Sequence, residues 1–223
     1  MQQWEALFKR AAKQLDAGKL SINSWSFGGG TALMLALNHR YSKDIDIFLP
    51  DRQLLAYVSP RVNDGAGAQD YDEHENFTKL YFPEGEIDFI ASPAVTPIKP
   101  TLREIAGIDA YVESPAEILA KKIIYRADNF KPRDIFDLAV VYAHLNADVL
   151  KIAPLVAPKV EALSNRINHL DSSGQLESQL NYMDILDGGR KVRGHELDIC
   201  RQCLNDIYLH KDQPLKVETD FSQ

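Results

Sequence analysis

"GGGTALMLALNHRYSKDIDIF", residues 28–48, sets three glycines, an apolar run and a basic turn directly ahead of two aspartates separated by one isoleucine. Its end, within "SKDIDIFL", alternates strictly and predicts a strand of period two. In a strand, residues two apart share a face, so Asp44 and Asp46 project together while Ile45 and Ile47 turn to the opposite, buried face. In a helix the same pair would diverge by about 200°. Two carboxylates held this close repel, and their charged form is costly unless a cation or strong donors sit between them. Hard oxygen ligands of this kind suit Mg²⁺ or Mn²⁺. "FGGGTAL" is expected to end a strand and begin a helix, which lets the backbone N–H groups of Gly29, Gly30 and Thr31 face a phosphate. It is not a P-loop, because the Lys-Ser/Thr pair of that motif is missing.

A third carboxylate, Asp88, stands in "GEIDFIAS" between Ile87 and Phe89, a lone acid on an otherwise apolar strand. If this strand lies beside "DIDIF" in one antiparallel sheet, the three aspartates can converge on two metal ions roughly 4 Å apart, the clamp used for in-line nucleotidyl transfer. The plain alternative for Asp88 is an edge-strand acid facing water. Glu86 shares its face but, at the hairpin rim, is expected to be solvated.

Around this centre the chain separates into two halves. Trp4, Leu7, Phe8, Ala11 and Leu15 recur at spacings of three and four, the stripe of an amphipathic helix packed on a core. "LSINSWSF" and "SKDIDIFL" are strands on either side of the "TALMLALNH" helix. Residues 51–75 are polar and turn-rich and are expected to form a loop. "FTKLYF", the turn "PEGE" and "IDFIAS" predict a β-hairpin. The stretch "PAVTPIKPTLREIAGIDAYVES" is irregular, with room for one more strand. "SPAEILAKKIIYRADNF" then opens with Ser114 as N-cap, Pro115 at the first helical position and Glu117 three residues after the cap. A second helix is expected at "RDIFDLAVVYAHL", and helix continues from residue 147 to about 210, with breaks at Pro154, Pro158, "DSSG" and "DGG". The expected layout is an α+β core over residues 1–113 and a helical domain over 114–223.

With 223 residues, 45% hydrophobic and 26% charged, the chain has the composition of a globular protein that can bury a full core. No apolar run approaches the roughly 20 residues that span a bilayer, and the charged N-terminus is unlike a signal peptide, so a cytoplasmic protein without a membrane partner is expected. Cys200 and Cys203 form a lone C-x-x-C within a helical pattern. His195 and His210 could complete a zinc shell, but two reduced helical cysteines are the expected state. The net charge of −7 excludes generic coating of nucleic acid, DNA included, and any polyanion must meet a local basic patch. Candidates are residues 121–133, with five Lys or Arg against one acid, and residues 188–196.

These features together resemble the AbiEii-type nucleotidyltransferases, a branch of the DNA polymerase β-like superfamily whose members act as toxins of type IV toxin–antitoxin and abortive-infection systems. The resemblance runs from about residue 20 to residue 145. It is carried by the glycine-to-DID segment, the lone acid of "EIDFI", and "SPAEILAKKIIYRADNFKPRDIFDL" with its R-D-x-x-D helix. It implies a polymerase β-like core, a mixed and largely antiparallel sheet with helices, followed by a helical domain. Asp44 and Asp46 match the paired metal ligands and Asp88 the third acid. Lys122 matches the family lysine, with Lys121 as a one-residue alternative, and Asp134 and Asp137 match the R-D-x-x-D pair. Lys122 and Arg126 lie one helical turn apart and would meet a triphosphate, with Arg40 and Ser42 as second-rank phosphate contacts. Without the upstream motif, Lys122 and Arg126 would be a solvated helix face, and Arg133 with Asp134 a salt bridge at a helix start.

The expected activity is transfer of a nucleoside monophosphate from an NTP to an acceptor hydroxyl with Mg²⁺ or Mn²⁺. By the resemblance the acceptor is RNA, at the 3′ end of tRNA, and the partner an antitoxin. The competing expectations are a catalytically silent module that binds nucleotide or antitoxin, and a small-molecule nucleotidyltransferase of the aminoglycoside-modifying kind.

Overall fold

The computed structural model describes residues 2–215. The chain divides into two compact units, the first comprising the residues up to Leu35 with Ser42–Ala94 and Lys99–Ser114, the second Ala36–Tyr41, Val95–Ile98 and the chain from Pro115 onward.

The first unit is a mixed seven-stranded sheet with one long helix. Helix α1 (Gln3–Ala17) buries the stripe of Trp4, Leu7, Phe8, Ala11 and Leu15. The strands are β1 (Ser26–Gly28), β2 (Ile45–Leu49), β3 (Asp70–His74), β4 (Phe77–Phe82), β5 (Gly85–Ala91), β6 (Thr101–Ile105) and β7 (Ile108–Val112), in the spatial order β3-β4-β5-β2-β1-β7-β6. Alternation sets the two faces. Ile45, Ile47 and Leu49 of β2 and Ile87 and Phe89 of β5 have no exposed area, and Phe27 of β1 meets Phe8 of α1 with ring centroids 4.9 Å apart. Asp46, Phe48, Asp88 and Ile90 occupy the half-buried opposite face. Sequestering each such Leu, Ile or Phe contributes about 1.5–3 kcal/mol, so the apolar face is held firmly and the register of the acidic face with it.

Helix α2 (Gly29–Leu37) starts directly at the end of β1 and is ended by Asn38 in the left-handed region, φ 48°. The hairpin β4–β5 forms as its sequence predicts. Four strand pairs are antiparallel and two are parallel, β1 with β7 and β2 with β5, and the latter corrects the antiparallel arrangement expected for the two acidic strands. The link between them, residues 50–84, carries β3 and β4 and exceeds the dozen or so residues that a parallel crossover needs. Residues 51–75 are not all loop, since β3 forms there as an edge strand on β4. The stretch after residue 93 holds a second hairpin, β6–β7, where one strand was expected.

The second unit is helical: α3 (Pro115–Arg126), α4 (Pro132–Lys151), α5 (Ala153–Val156), α6 (Val160–Ser172), α7 (Gln175–Leu180) and α8 (Glu196–Leu209). Pro132 and Pro154 stand in the first turns of α4 and α5, where a missing N–H costs nothing, and Gly174 at φ 69° separates α6 from α7. α4 is the central element and packs against α3, α7 and α8. Cys200 and Cys203 are buried free thiols on α8, and burial pushes both above the usual thiol range. The segment Ala36–Tyr41 belongs to this unit, where Asn38 accepts a hydrogen bond from the Gly188 N–H and Arg40 forms a bridge with Ile185. Among the described residues no single helix is long and apolar enough to cross a membrane.

Candidate active site

In the first unit the chemistry lies on the open face of the sheet. Gly28, Asp46, Asp88, Lys79 and Asp72 stand opposite one another in register across the five adjacent strands β1, β2, β5, β4 and β3. Asp46 and Asp88 are thus direct cross-strand neighbours, the closest same-face relation a sheet offers. Asp44 stands just before the first residue of β2, and its Oδ1 accepts the Glu86 N–H at 3.1 Å.

The Asp88 carboxyl is pushed up to about 6 by burial and by the Asp46 charge, against the opposing pull of Lys79. Its Oδ1 is buried without a hydrogen-bond partner, whereas Oδ2 lies 3.1 Å from the Lys79 ammonium. Lys79 also donates to Glu86 Oε2 at 2.6 Å. Burial works against its charge, but Glu86 and Asp88 outweigh that and raise the ammonium above its ordinary range.

The glycine turn is fitted to the same carboxylates. Gly29 has φ 67°, and a Cβ at this position would overlap the Asp46 carboxylate. Only glycine therefore lets the start of α2 close onto Asp46. Thr31 is fully buried, and its hydroxyl donates to the Asp44 carbonyl at 2.6 Å and lies 3.1 Å from the Ser42 hydroxyl. Ser42 in turn donates its N–H to the Met34 sulfur at 3.2 Å. These bonds fasten the first turn of α2, with the N–H groups of Gly29, Gly30 and Thr31, to the segment that delivers Asp44 and Asp46.

The remaining sequence-derived candidates meet in the second unit as a buried charge cluster. Asp137 of α4 has no exposed area and accepts both arms of the Arg40 guanidinium, at 2.6 and 2.9 Å, the His39 Nε2 at 2.8 Å and the Lys122 ammonium. Lys122 also donates to Asp134 Oδ1 at 2.8 Å, and Arg126 reaches the same oxygen at 2.6 Å. Asp134 Oδ2 accepts the Lys131 N–H, at 3.1 Å, at the start of α4. Burial alone would raise both acids, yet Lys122 with Arg126 holds Asp134 low, and Arg40 with Lys122 holds Asp137 well below the usual carboxylate range. Lys122 keeps only 7% of its side chain exposed, so it belongs to no solvated helix face, whereas Arg126 keeps 35%. Asp134 draws its ion pairs from α3, so its partners lie across the helix interface. Lys121 pairs with Glu117 at 3.6 Å, and that carboxylate accepts the N–H groups of Val95 and Thr96 at 2.8 Å each.

Two residues of these clusters escaped the sequence reading. Lys79 was open to detection by counting, because a hairpin that closes Phe82 on Gly85 sets Lys79 opposite Asp88. His39 lies inside the motif, with its ring stacked on Phe136 at 6.1 Å, but nothing in the sequence points it at Asp137.

The mixed sheet bearing a carboxylate pair beside a glycine-started helix, followed by a helical bundle, defines an α+β nucleotidyltransferase. Two solved structures from Helicobacter pylori share this fold. The crystal structure of JHP933 matches with a TM-score of 0.51 at 18% identity, covering 93% of this chain and 91% of that one. A putative nucleotidyltransferase matches with a TM-score of 0.52 at 17% identity, covering 93% and 94%. The family model for the nucleotidyl transferase AbiEii toxin of type IV toxin–antitoxin systems matches residues 18–184, and the chain belongs to that family. It is therefore a nucleotidyltransferase of the toxin class. No curated protein matches the chain.

Proposed function

We propose that the chain transfers a nucleoside monophosphate from an NTP to an acceptor hydroxyl, with Asp44, Asp46 and Asp88 as the catalytic carboxylates. The observation that carries this reading is the in-register opposition of Asp46 and Asp88, with one Asp88 oxygen buried and unpartnered and the Asp46 carboxylate set against the Gly29 turn. An orphaned carboxylate oxygen next to a second acid fits a hard divalent cation. Among the described residues no three His, Cys, Asp or Glu side chains gather closely enough to hold an ion by themselves. The convergence of all three aspartates expected from the sequence is therefore not met, and the fit rests on the Asp46–Asp88 pair, since Mg²⁺ is usually held by one or two carboxylates with substrate phosphates and water filling its shell. When bound, the cation would neutralise these acids and polarise the phosphate oxygens.

Asp44 and Asp46 would hold one ion, and Asp88 would share a second. The N–H groups of Gly29, Gly30 and Thr31 would take the triphosphate. The acceptor oxygen attacks the α-phosphorus, and the bond from that phosphorus to the pyrophosphate oxygen breaks as the new one forms. The acceptor proton passes to the Asp88 carboxylate and then to water. In the second unit Asp134 and Asp137 hold Lys122 and Arg126 in a fixed charge cluster that Arg40 joins through Asp137.

Family membership supports a cognate antitoxin as the partner; an RNA acceptor, at the 3′ end of tRNA, and a cytoplasmic site of action are parts of the proposal. Because the net charge is −7, RNA must be met by a local patch, and of the basic side chains in residues 121–133 only Lys131 and Arg133 are exposed for it, since Lys121 and Lys122 are buried in ion pairs. An Asp46→Ala protein is expected to fold and to lose Mg²⁺-dependent transfer of label from α-labelled NTP to total RNA. Full retention of transfer by that variant refutes the proposal.

A further inference from the structure

The row of residues on the open face contains one basic side chain, Lys79, in contact with the acid that the proposed mechanism uses as base. It stands directly opposite Asp88 in the β4–β5 ladder, 3.1 Å from Asp88 Oδ2 and 2.6 Å from Glu86 Oε2. On the same face Asp88 is opposed by Asp46, so Asp88 sits between a carboxylate on one strand and an ammonium on the other. Lys79 keeps 23% of its side chain exposed, which leaves it able to swing toward solvent without tearing the sheet.

We propose that Lys79 is a built-in counter-ion of the carboxylate face, a positioning residue that clamps one oxygen of Asp88 and competes with a divalent cation for that carboxylate. The inference rests on the reading of Asp46 and Asp88 as the cation-holding pair. The division of labour between the two oxygens of Asp88 supports it: Oδ2 is held by Lys79, and Oδ1 is buried with no donor. One charge of the acid is thereby offset within the protein while one oxygen is left without a donor. A cation that enters must displace the ammonium or share the carboxylate with it, so the lysine sets how much divalent ion the protein needs before it works.

The test is Mn²⁺ binding by titration calorimetry to the wild-type chain, Lys79→Met, Lys79→Gln and Lys79→Arg, without NTP, at one ionic strength. Methionine keeps the stem and removes the charge, and glutamine covers the case in which the methionine protein does not fold. The neutral variants are expected to bind Mn²⁺ on the order of tenfold more tightly, since a like charge within contact distance of the ligand is gone. Lys79→Arg should stay within about threefold of wild type, since the charge is retained. A purely structural role predicts weaker binding on substitution, so the sign of the change separates the two. Unchanged or weaker Mn²⁺ affinity in the neutral variants overturns the inference. If that result coincides with loss of NTP transfer in Asp46→Ala, the inference about Lys79 falls alone. Absence of Mn²⁺ binding in every protein overturns it together with the assignment of Asp46 and Asp88 as cation ligands.

Discussion

Replacing Asp137 by asparagine removes one charge from a fully buried position with little change of shape. Asp137 has no exposed area and answers Arg40, Lys122 and the ring of His39. Asparagine keeps an acceptor oxygen but puts an NH₂ where the second carboxylate oxygen stood, and leaves the Arg40 and Lys122 cations with one anion fewer. Removing one partner of a buried ion pair costs about 3–5 kcal/mol, far more than the net worth of the pair. In a chain of this length each kcal/mol lowers the melting point by about 2–4 °C, so a fall of roughly 6–20 °C is expected for the unit that holds α3 and α4. Calorimetry at pH 7.5 measures it, and separate transitions for the two units would assign it. Combining Asp137→Asn with Lys122→Met removes the stranded ammonium while Asp134 keeps Arg126, so the double variant should lose clearly less than the sum of the singles. A fall of under 2 °C in Asp137→Asn, or strict additivity in the double variant, would show that the cluster is not a cooperative network.

Further consequences follow from the same geometry. Asp134 and Asp137 have depressed folded pKa values, so the stability they contribute is present above their unfolded value near 4 and lost as pH falls through the folded values. The melting-point gap between wild type and Asp137→Asn should therefore persist from pH 8 to about pH 5 and close in stronger acid, and a constant gap down to pH 2 would contradict this. Gly29→Ala places a Cβ against the Asp46 carboxylate at a left-handed position and should reduce kcat at least about a hundredfold, because displacing a catalytic group by about 1 Å has effects of that size. Wild-type kcat would show that Gly29 does not set the carboxylate's place. Thr31→Val loses the bond to the Asp44 carbonyl, with an expected stability loss of about 1–2 kcal/mol, while Thr31→Ser stays near wild type in urea unfolding.

The parts of the fold that were legible in the sequence are those with a buried face. The hairpin β4–β5 and the α1 stripe alternate between apolar and polar at the period of their element, and both form as read. β3, "DYDEH", and β6, "TLREI", are edge strands exposed along most of their length, so burial never imprinted the alternation that identifies a strand. The pairing of β2 with β5 followed from the chemistry of the two acids, but strand direction depends on how residues 50–84 travel, and no residue of the acidic pair encodes that. In the site, the D-x-D spacing of Asp44 and Asp46 and the glycine turn ahead of them are local and visible in the sequence, whereas the fit of Gly29 against the Asp46 carboxylate was not, since it depends on the pairing of β1 with β2. The burial of Lys122 was not, because a lysine and an arginine one turn apart look solvent-facing until Asp134 and Asp137 are brought against them from another helix.

The most direct measurement incubates the wild-type chain and Asp46→Ala with α-labelled or γ-labelled NTP, Mg²⁺ and total cellular RNA, after circular dichroism has shown both to be folded. The account predicts that wild type moves label from the α position onto RNA, releases the γ label as pyrophosphate, and stops when EDTA is added, while Asp46→Ala does none of these. Equal α-label transfer by Asp46→Ala, or γ label appearing on RNA, would contradict it.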